Sequence, residues 1–145
     1  MQGMTRRERQ VTDPERILQI LDTAKVLHLG LAVDNEPYVV PMNYGYAMVD
    51  GKLTLYLHSA HRGKKLDMMR ANPNVFFEME SGLVPFEGDV ACRYGLAYSC
   101  LMGRGQAQKV EEMLSPDYFR WLYTAFTRAT ETLYLVNWPK EQLED

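Results

Sequence analysis

Residues 37–59 read PYVVPMNYGYAMVDGKLTLYLHS. Apolar, β-branched and aromatic residues recur on both sides of Asp50-Gly51, and Asp-Gly between two such runs is a strong signal for a β-hairpin. The preceding run VLHLGLAV (26–33) has the same character and is separated from residue 37 by Asp34-Asn35-Glu36. The pattern predicts three strands, 26–33, 37–49 and 52–59, in an antiparallel meander.

Helical segments flank these strands. In DPERILQILDTA (13–24), Asp13 is a good N-cap, Pro14 suits the first helical position, and apolar residues recur at helical spacing. A short second helix is predicted to end at Asn72-Pro73, because proline cannot continue a helix. Its buried face is predicted to carry Leu66, Met68 and Met69. A third helix is predicted from Ser115-Pro116-Asp117 through Phe126.

The rest of the chain is predicted to be mainly extended. Residues 75–80 alternate as a strand, SGLVPFEGD (81–89) has the composition of a loop, and 132–136 form a last apolar strand. Residues from about 90 to 110 are expected to be extended, with bends or bulges at Gly95, Gly103 and Gly105. Hairpin-joined strands interrupted by helices, without βαβ alternation, predict an α+β fold built on an antiparallel barrel.

Composition limits the possible functions. A chain of 145 residues with 46% hydrophobic residues suits a single domain, residues 1–145, and we expect residues 1–12 to be flexible. The net charge of −3 argues against attraction to nucleic acid or to an anionic membrane. Because the sequence has neither a membrane-spanning apolar run nor a secretory signal, a cytoplasmic location is expected. Cys92 and Cys100 are predicted to be buried free thiols.

A basic cluster follows the third predicted strand. The sequence HSAHRGKKL (58–66) runs from strand to helix and places Ser59, Arg62, Lys64 and Lys65 at a helix N-terminus. Cations are unfavourable there unless an anion is bound, and the free N–H groups would themselves bind phosphate. The alternative is a solvated surface turn. Gly63-Lys64 does not fit a Walker loop, and His58 with His61 lacks further ligands at zinc spacing, so no metal site is predicted.

Three ordered blocks resemble one family. They are P-x-x-x-x-Y from Pro41, then LYLHSA with GKKL and Asn72-Pro73, and finally C-x-x-x-x-x-Y-S from Cys92 with Gly103-x-Gly105. Residues 13–112 are similar to flavin-nucleotide-binding proteins related to pyridoxamine 5′-phosphate oxidase, and most of all to their nitroimidazole-resistance branch. The resemblance implies a split β-barrel of Greek-key topology with short flanking helices.

The resemblance also implies a site. The expected cofactor is FMN, held in a cleft between the two subunits of a homodimer. The residues expected to line the isoalloxazine ring are Val40, Pro41, Met42, Asn43 and Tyr44. Those expected to hold the ribityl phosphate are His58, Ser59, Arg62, Gly63, Lys64 and Lys65. Ser99 and Trp138 are further cofactor candidates, the latter by reaching the partner subunit's flavin. Ser99 and its neighbour Tyr98, as buried strand residues, could equally be structural, and Trp138 could simply cap the barrel.

The implied activity is that of an FMN-dependent oxidoreductase. Electrons from a nicotinamide cofactor would reduce a small organic acceptor such as a nitro-heterocycle, with His58 or Tyr44 as candidate proton donors. The region after Val110 lacks the lysine-led helix of the nitroimidazole branch, so the substrate remains open. The alternatives are a non-catalytic flavin- or haem-binding storage module and a deazaflavin-dependent reductase.

Overall fold

The computed structural model of the protein describes residues 6–60, 62–110 and 132–138. In these ranges, seven strands form one antiparallel sheet, and two α-helices pack against it. The helices are α1 (Pro14–Thr23) and α2 (Lys64–Ala71). The strands are β1 (Leu27–Val33), β2 (Glu36–Met42), β3 (Tyr44–Val49), β4 (Lys52–Ser59), β5 (Asn74–Phe86), β6 (Gly95–Val110) and β7 (Thr132–Trp138).

The two predicted hairpins are confirmed, but the meander is wrong. β1 pairs with β2 around Asp34-Asn35, and β3 pairs with β4 around Asp50-Gly51; all four turn residues have positive φ, as tight hairpins between twisted strands require. The predicted strand 37–49 is divided at Asn43. Its two halves lie at opposite ends of the strand order β2-β1-β5-β6-β7-β4-β3.

This division explains the barrel. Met42 ends one edge strand, Tyr44 begins the other, and a single residue joins them. Since consecutive Cα atoms are about 3.8 Å apart, the two edges of the sheet must meet at Asn43. The sheet is therefore rolled into an antiparallel split β-barrel, and the α+β prediction is confirmed.

The second half of the sheet differs from the prediction in two ways. Residues 81–86, predicted to be loop, belong to β5, and the register shifts between Ser81 and Val84. Gly82, with φ of 67°, lies in this shift, where one extra residue on β5 opposes β6 as a β-bulge. Gly103 and Gly105, predicted as bends, pair regularly with β5 instead.

The core lies inside the barrel. Alternate residues of β1, β4 and β5 are fully buried, among them Leu29, Leu55 and Phe77. Helix α1 begins as predicted, with the Asp13 carboxylate accepting the Glu15 N–H at 3.0 Å, and it buries Ile17, Ile20 and Leu21. Helix α2 ends at Asn72 as predicted. It buries the three predicted residues, Leu66, Met68 and Met69.

Two other predictions have different outcomes. Cys92 and Cys100 are free, as expected, but both are exposed, because neither lies on the inward face of the barrel. The third predicted helix lies outside the described residues. Neither described helix has the length and apolarity needed to cross a membrane.

Candidate functional site

The basic turn lies between β4 and α2. Gly63 is the N-cap of α2 with φ of 147°, a conformation that favours glycine, and its carbonyl accepts the N–H groups of Leu66 and Asp67 at 3.1 Å. No side chain caps this helix. The first N–H groups of an α-helix have no acceptor within the helix, so α2 presents donors toward the turn.

The side chains of the turn are placed at the surface around these donors. Arg62 and Lys64 are exposed, Lys65 is half-buried, and Ser59 is buried with its hydroxyl donating to the Ala60 carbonyl at 3.2 Å. The Lys64 Nζ lies 3.6 Å from a Glu36 carboxylate oxygen and 4.7 Å from the centre of the Tyr38 ring. Lys64 is therefore oriented toward β2.

The strand break at Asn43 lies beside this turn. Tyr44 pairs with Leu57, so the register brings Asn43 level with His58, the residue before Ser59. Pro41 and Asn43 are exposed, whereas Met42 is buried. Because β2 has a strand neighbour on one side only, its other edge can offer backbone groups to a ligand. Pro41 lies on this edge strand, where its missing N–H is tolerated.

Side chains on the other side of this segment pack inward. Val40 and Tyr44 contact the core, so at these positions only the backbone is available to a ligand on the outer side. The Tyr44 hydroxyl donates to the carbonyls of Leu21 (2.6 Å) and Ala24 (3.1 Å) at the end of α1. Burial and the nearby Asp22 carboxylate raise the pKa of Tyr44 to about 12. This hydroxyl is therefore a weak proton donor, and its two hydrogen bonds connect β3 to the end of α1.

Other predicted site residues lie apart from the turn within one chain. Ser99 pairs with Ser81 on the β5–β6 hairpin, near α1, where the Ser81 and Thr23 hydroxyls are hydrogen-bonded. Ser99 is half-buried and Tyr98 is exposed, so the expectation that both are buried is wrong. Trp138 pairs with Leu53, five residues before His58 on β4, which is roughly 17 Å at about 3.3 Å per residue.

Sequence comparison identifies the family. Residues 13–134 match the family model described as pyridoxamine 5′-phosphate oxidase. The chain belongs to this family. No match was found among curated proteins.

Solved structures of other proteins show the same fold as this member of the pyridoxamine 5′-phosphate oxidase family. A Bacteroides thetaiotaomicron protein assigned to 5-nitroimidazole antibiotic resistance is 28% identical, with a TM-score of 0.65 over 87% of this chain and 80% of that one. An FAD-binding protein of Mesorhizobium loti is 22% identical, with a TM-score of 0.61 over 87% of each chain. The heme storage protein of Vibrio cholerae is 14% identical, with a TM-score of 0.57 over 87% of this chain and 89% of that one.

A second polar cluster, which the sequence analysis missed, lies on the outer face of β1 and β5. His28 pairs with Glu78, and the His28 Nδ1 lies 2.9 Å from a Glu78 oxygen and 3.8 Å from a Glu80 oxygen. The Cys100 Sγ on β6 lies 3.4 Å from the other Glu78 oxygen. Two acidic residues at i and i+2 on a strand were the available signal, since period-2 alternation places them on one face.

The two carboxyl groups of this cluster influence each other. A hydrogen bond to Glu78, together with burial, raises the pKa of Glu80. For Glu78, burial favours the protonated form, but hydrogen bonds to Glu80, His28 and Cys100 outweigh it and lower the pKa. Partial burial of the thiol and the adjacent Glu78 carboxylate raise the pKa of Cys100 to about 12, although the residue as a whole is exposed.

Proposed function

We propose that this protein is a flavin-dependent oxidoreductase that binds FMN where the basic turn meets the Asn43 strand break. The observation that carries the proposal is the N-terminus of α2, which has no side-chain cap and is flanked by Arg62, Lys64 and Lys65. The three cationic side chains are repelled by the positive end of the α2 helix dipole, and a bound phosphate would reduce this repulsion.

The donor set of the turn fits the phosphate of FMN. Arg62 and Lys65 would supply charge-assisted hydrogen bonds, and the first N–H groups of α2 would bind further phosphate oxygens. Lys64 would have to exchange its contact with Glu36 for the phosphate; both side chains are more than half exposed, so this ion pair is weak. The buried Ser59 would contribute by shaping the turn.

The isoalloxazine ring would lie along the edge of β2 at Pro41 and Asn43. These two residues are exposed, and the adjacent strand edge can offer backbone donors and acceptors for the polar rim of the ring. The side chains of Val40, Met42 and Tyr44 would support this wall from inside the barrel. The proposed ring and phosphate sites are adjacent, because the register of β3 and β4 brings Asn43 level with His58. One FMN molecule could therefore occupy both.

When bound, FMN would supply the redox chemistry, taking electrons from a nicotinamide cofactor and passing them to a small organic acceptor. The chain would bind and orient the flavin. Since the Tyr44 hydroxyl is bonded to two carbonyls, His58 is the better candidate for proton delivery. A nitro-heterocycle is the proposed acceptor class, on the similarity to the Bacteroides protein.

A second copy of the chain would complete the cleft. The outer face of β2, β1, β5 and β6, with the β5–β6 hairpin, exposes many large apolar side chains, and such patches mark interaction surfaces. They include Val39 (66% exposed), Phe76, Leu96, Tyr98 (59%) and Met102. This surface, the outer apolar face, continues along β2 to Pro41 and Asn43. A partner bound there would wall the flavin from the second side, so we propose a homodimer.

Storage of a flavin or haem is the second candidate, favoured by the structural similarity to the Vibrio cholerae heme storage protein. The absorption spectrum of the purified protein separates the candidates: flavin bands support the oxidoreductase, whereas a Soret band supports haem. Mass spectrometry of the ligand released by heat then distinguishes FMN from FAD and from a deazaflavin. Steady-state reduction of a nitro-heterocycle by a nicotinamide cofactor tests catalysis.

The phosphate assignment is tested by the double substitution Lys64→Gln and Lys65→Gln. Charge-assisted hydrogen bonds contribute roughly 1.5–3 kcal/mol each, so FMN affinity should fall by about two to four decades. Fluorescence quenching measures the affinity. Lys52→Gln, an exposed lysine at the other end of β4, is the control and should leave it unchanged. Equal FMN affinity in the double variant and the control would refute this site.

A further inference from the structure

The outer-face cluster of His28, Glu78 and Glu80 is held by two adjacent strands. His28 and Glu78 occupy paired positions on β1 and β5, and Glu80 follows two residues later on the same face of β5. The side chains are 37%, 29% and 33% exposed, so they are held near the strand surface. The register of the sheet therefore brings these three side chains together.

The donor atoms have the spacing of ligands around one ion. One oxygen or nitrogen from each residue lies within 4.8 Å of the other two. Two ligands about 2.0–2.1 Å from a zinc ion at tetrahedral angles are about 3.3 Å apart. The distances of 2.9 and 3.8 Å from His28 Nδ1 to the two carboxylates bracket that value. A small inward movement of Glu80 would complete three-point coordination.

The charge of the cluster also favours a cation. Two carboxyl groups, those of Glu78 and Glu80, converge on one imidazole nitrogen. A histidine supplies at most one positive charge. A divalent ion would balance both carboxylates.

We propose that His28, Glu78 and Glu80 bind a divalent transition-metal ion of the zinc class on the outer face of the barrel. An imidazole nitrogen with two carboxylates suits Zn²⁺, Co²⁺ or Ni²⁺ better than Mg²⁺ or Ca²⁺, which prefer oxygen ligands alone. The Cys100 thiol, 3.4 Å from Glu78, adds a softer donor beside the site. The site does not depend on the proposed flavin chemistry.

The test uses the full chain, treated with chelator and dialysed, with Co²⁺ and Zn²⁺ as probes. Exposed Cys92 and Cys100 could bind metal by themselves, so the measurements are repeated with both changed to serine. We expect one ion per chain, visible cobalt absorption bands, and displacement of Co²⁺ by Zn²⁺. These properties should persist in the serine variant.

Single substitutions then assign the ligands. Loss of an outer-shell hydrogen bond alone weakens metal binding by roughly 10–100-fold, so Glu80→Gln should weaken it by about 100-fold or more. His28→Ala and Glu78→Gln should do the same and serve if Glu80→Gln does not fold. Glu87→Gln, an exposed acid outside the cluster, is the matched control. Three results would each overturn the proposal and leave a histidine–carboxylate ion pair. The first is that the protein binds no metal ion, and the second is that binding is lost in the serine variant. The third is that Glu80→Gln and Glu87→Gln bind the ion equally well.

Discussion

The inner and outer faces of β1, β5 and β6 are covered differently, although the same three strands build both. Leu29, Phe77 and Met79 point into the barrel and are fully buried. Their neighbours His28, Phe76 and Glu78 point outward and remain partly exposed. The inner face is completed by the chain itself, because α1, α2 and the opposite wall of the barrel cover it.

The outer face holds large apolar groups beside paired carboxylates. A monomeric surface rarely combines an extended apolar patch with a half-buried polar cluster, and such patches usually serve interactions. Within the described residues, no helix or loop packs over Phe76, Tyr98 or Met102 enough to bury them. The inner face therefore stabilises the fold, whereas the outer face leaves large apolar side chains exposed.

The largest expected effect tests this contrast with adjacent residues of the same type. Phe77 is 0% exposed and Phe76 is 40% exposed. Phe77→Ala removes a ring from the core and should lower the free energy of unfolding by about 3–5 kcal/mol. Phe76→Ala should lower it by less than about 1 kcal/mol at protein concentrations low enough to favour monomers. Urea denaturation measures both.

Protein concentration sharpens the same experiment. If the outer apolar face binds a second copy, the effect of Phe76→Ala should grow with concentration, since association stabilises the folded chain. The effect of Phe77→Ala should not. If both variants lose the same free energy of unfolding at every protein concentration, the inner and outer faces do not differ in their contribution to stability.

A smaller effect is expected for substitution on the outer apolar face alone. Tyr98→Glu places a charge on a 59% exposed tyrosine and should weaken dimerisation by about 2 kcal/mol, roughly 30-fold, as for an interface hot spot. Val49→Glu is the matched control because Val49 is 60% exposed but lies on the β3–β4 hairpin. Sedimentation velocity over a dilution series measures the dimer dissociation constant.

Two results would contradict the outer apolar face as the interface. One is a wild-type protein that sediments as a monomer throughout the series. The other is a Val49→Glu variant that dissociates as readily as Tyr98→Glu.

The smallest effect concerns the polar end of the inner face. Tyr44→Phe removes hydrogen bonds to the carbonyls of Leu21 and Ala24 and should lower the free energy of unfolding by about 1 kcal/mol near pH 7. Tyr38→Phe, on β2, is the control for loss of a hydroxyl. Thermal and urea unfolding of the three proteins at equal concentration give the difference.

The pH dependence of stability provides a second readout for Tyr44. Its pKa is raised from 10.0 in the ordinary side chain to about 12 in the folded protein. Below pH 10 both states are protonated and the stabilisation is complete; as the pH rises from 10 toward 12, the unfolded state loses its proton first and stability falls. Tyr44→Phe should flatten this decline. An identical slope in both proteins would place the titration elsewhere, for instance at Tyr46, whose pKa is raised similarly.

Much of the fold could be predicted because its signals are local. Asp13-Pro14 begins α1, Asn72 ends α2, and Asp50-Gly51 forms a hairpin, each by chemistry confined to a few neighbouring residues. The apolar runs 26–33 and 52–59 and the alternating run 75–80 identified strands β1, β4 and the first half of β5. The basic turn was also correctly placed at the start of a helix, since both its charge and its position are written in consecutive residues.

The errors occur where distant pairing overrides local composition. Gly82 and Pro85 are typical of loops, yet β6 pairs with this segment and makes it strand, with the extra residue accommodated as a bulge. The run 37–49 is rich in apolar and aromatic residues throughout, but its halves pair with different partners, β1 and β4. Nothing within that run specifies two partners.

The sequence by itself determined the boundaries of α1 and the end of α2, the two tight hairpins and the position of the basic turn, because these depend on neighbouring residues. The tertiary structure alone decided that Asn43 joins the two edges of the sheet and that His28 meets Glu78 at a sequence separation of 50 residues. Such contacts depend on strand order and register. Both arise from the packing of the whole barrel, which no local pattern encodes.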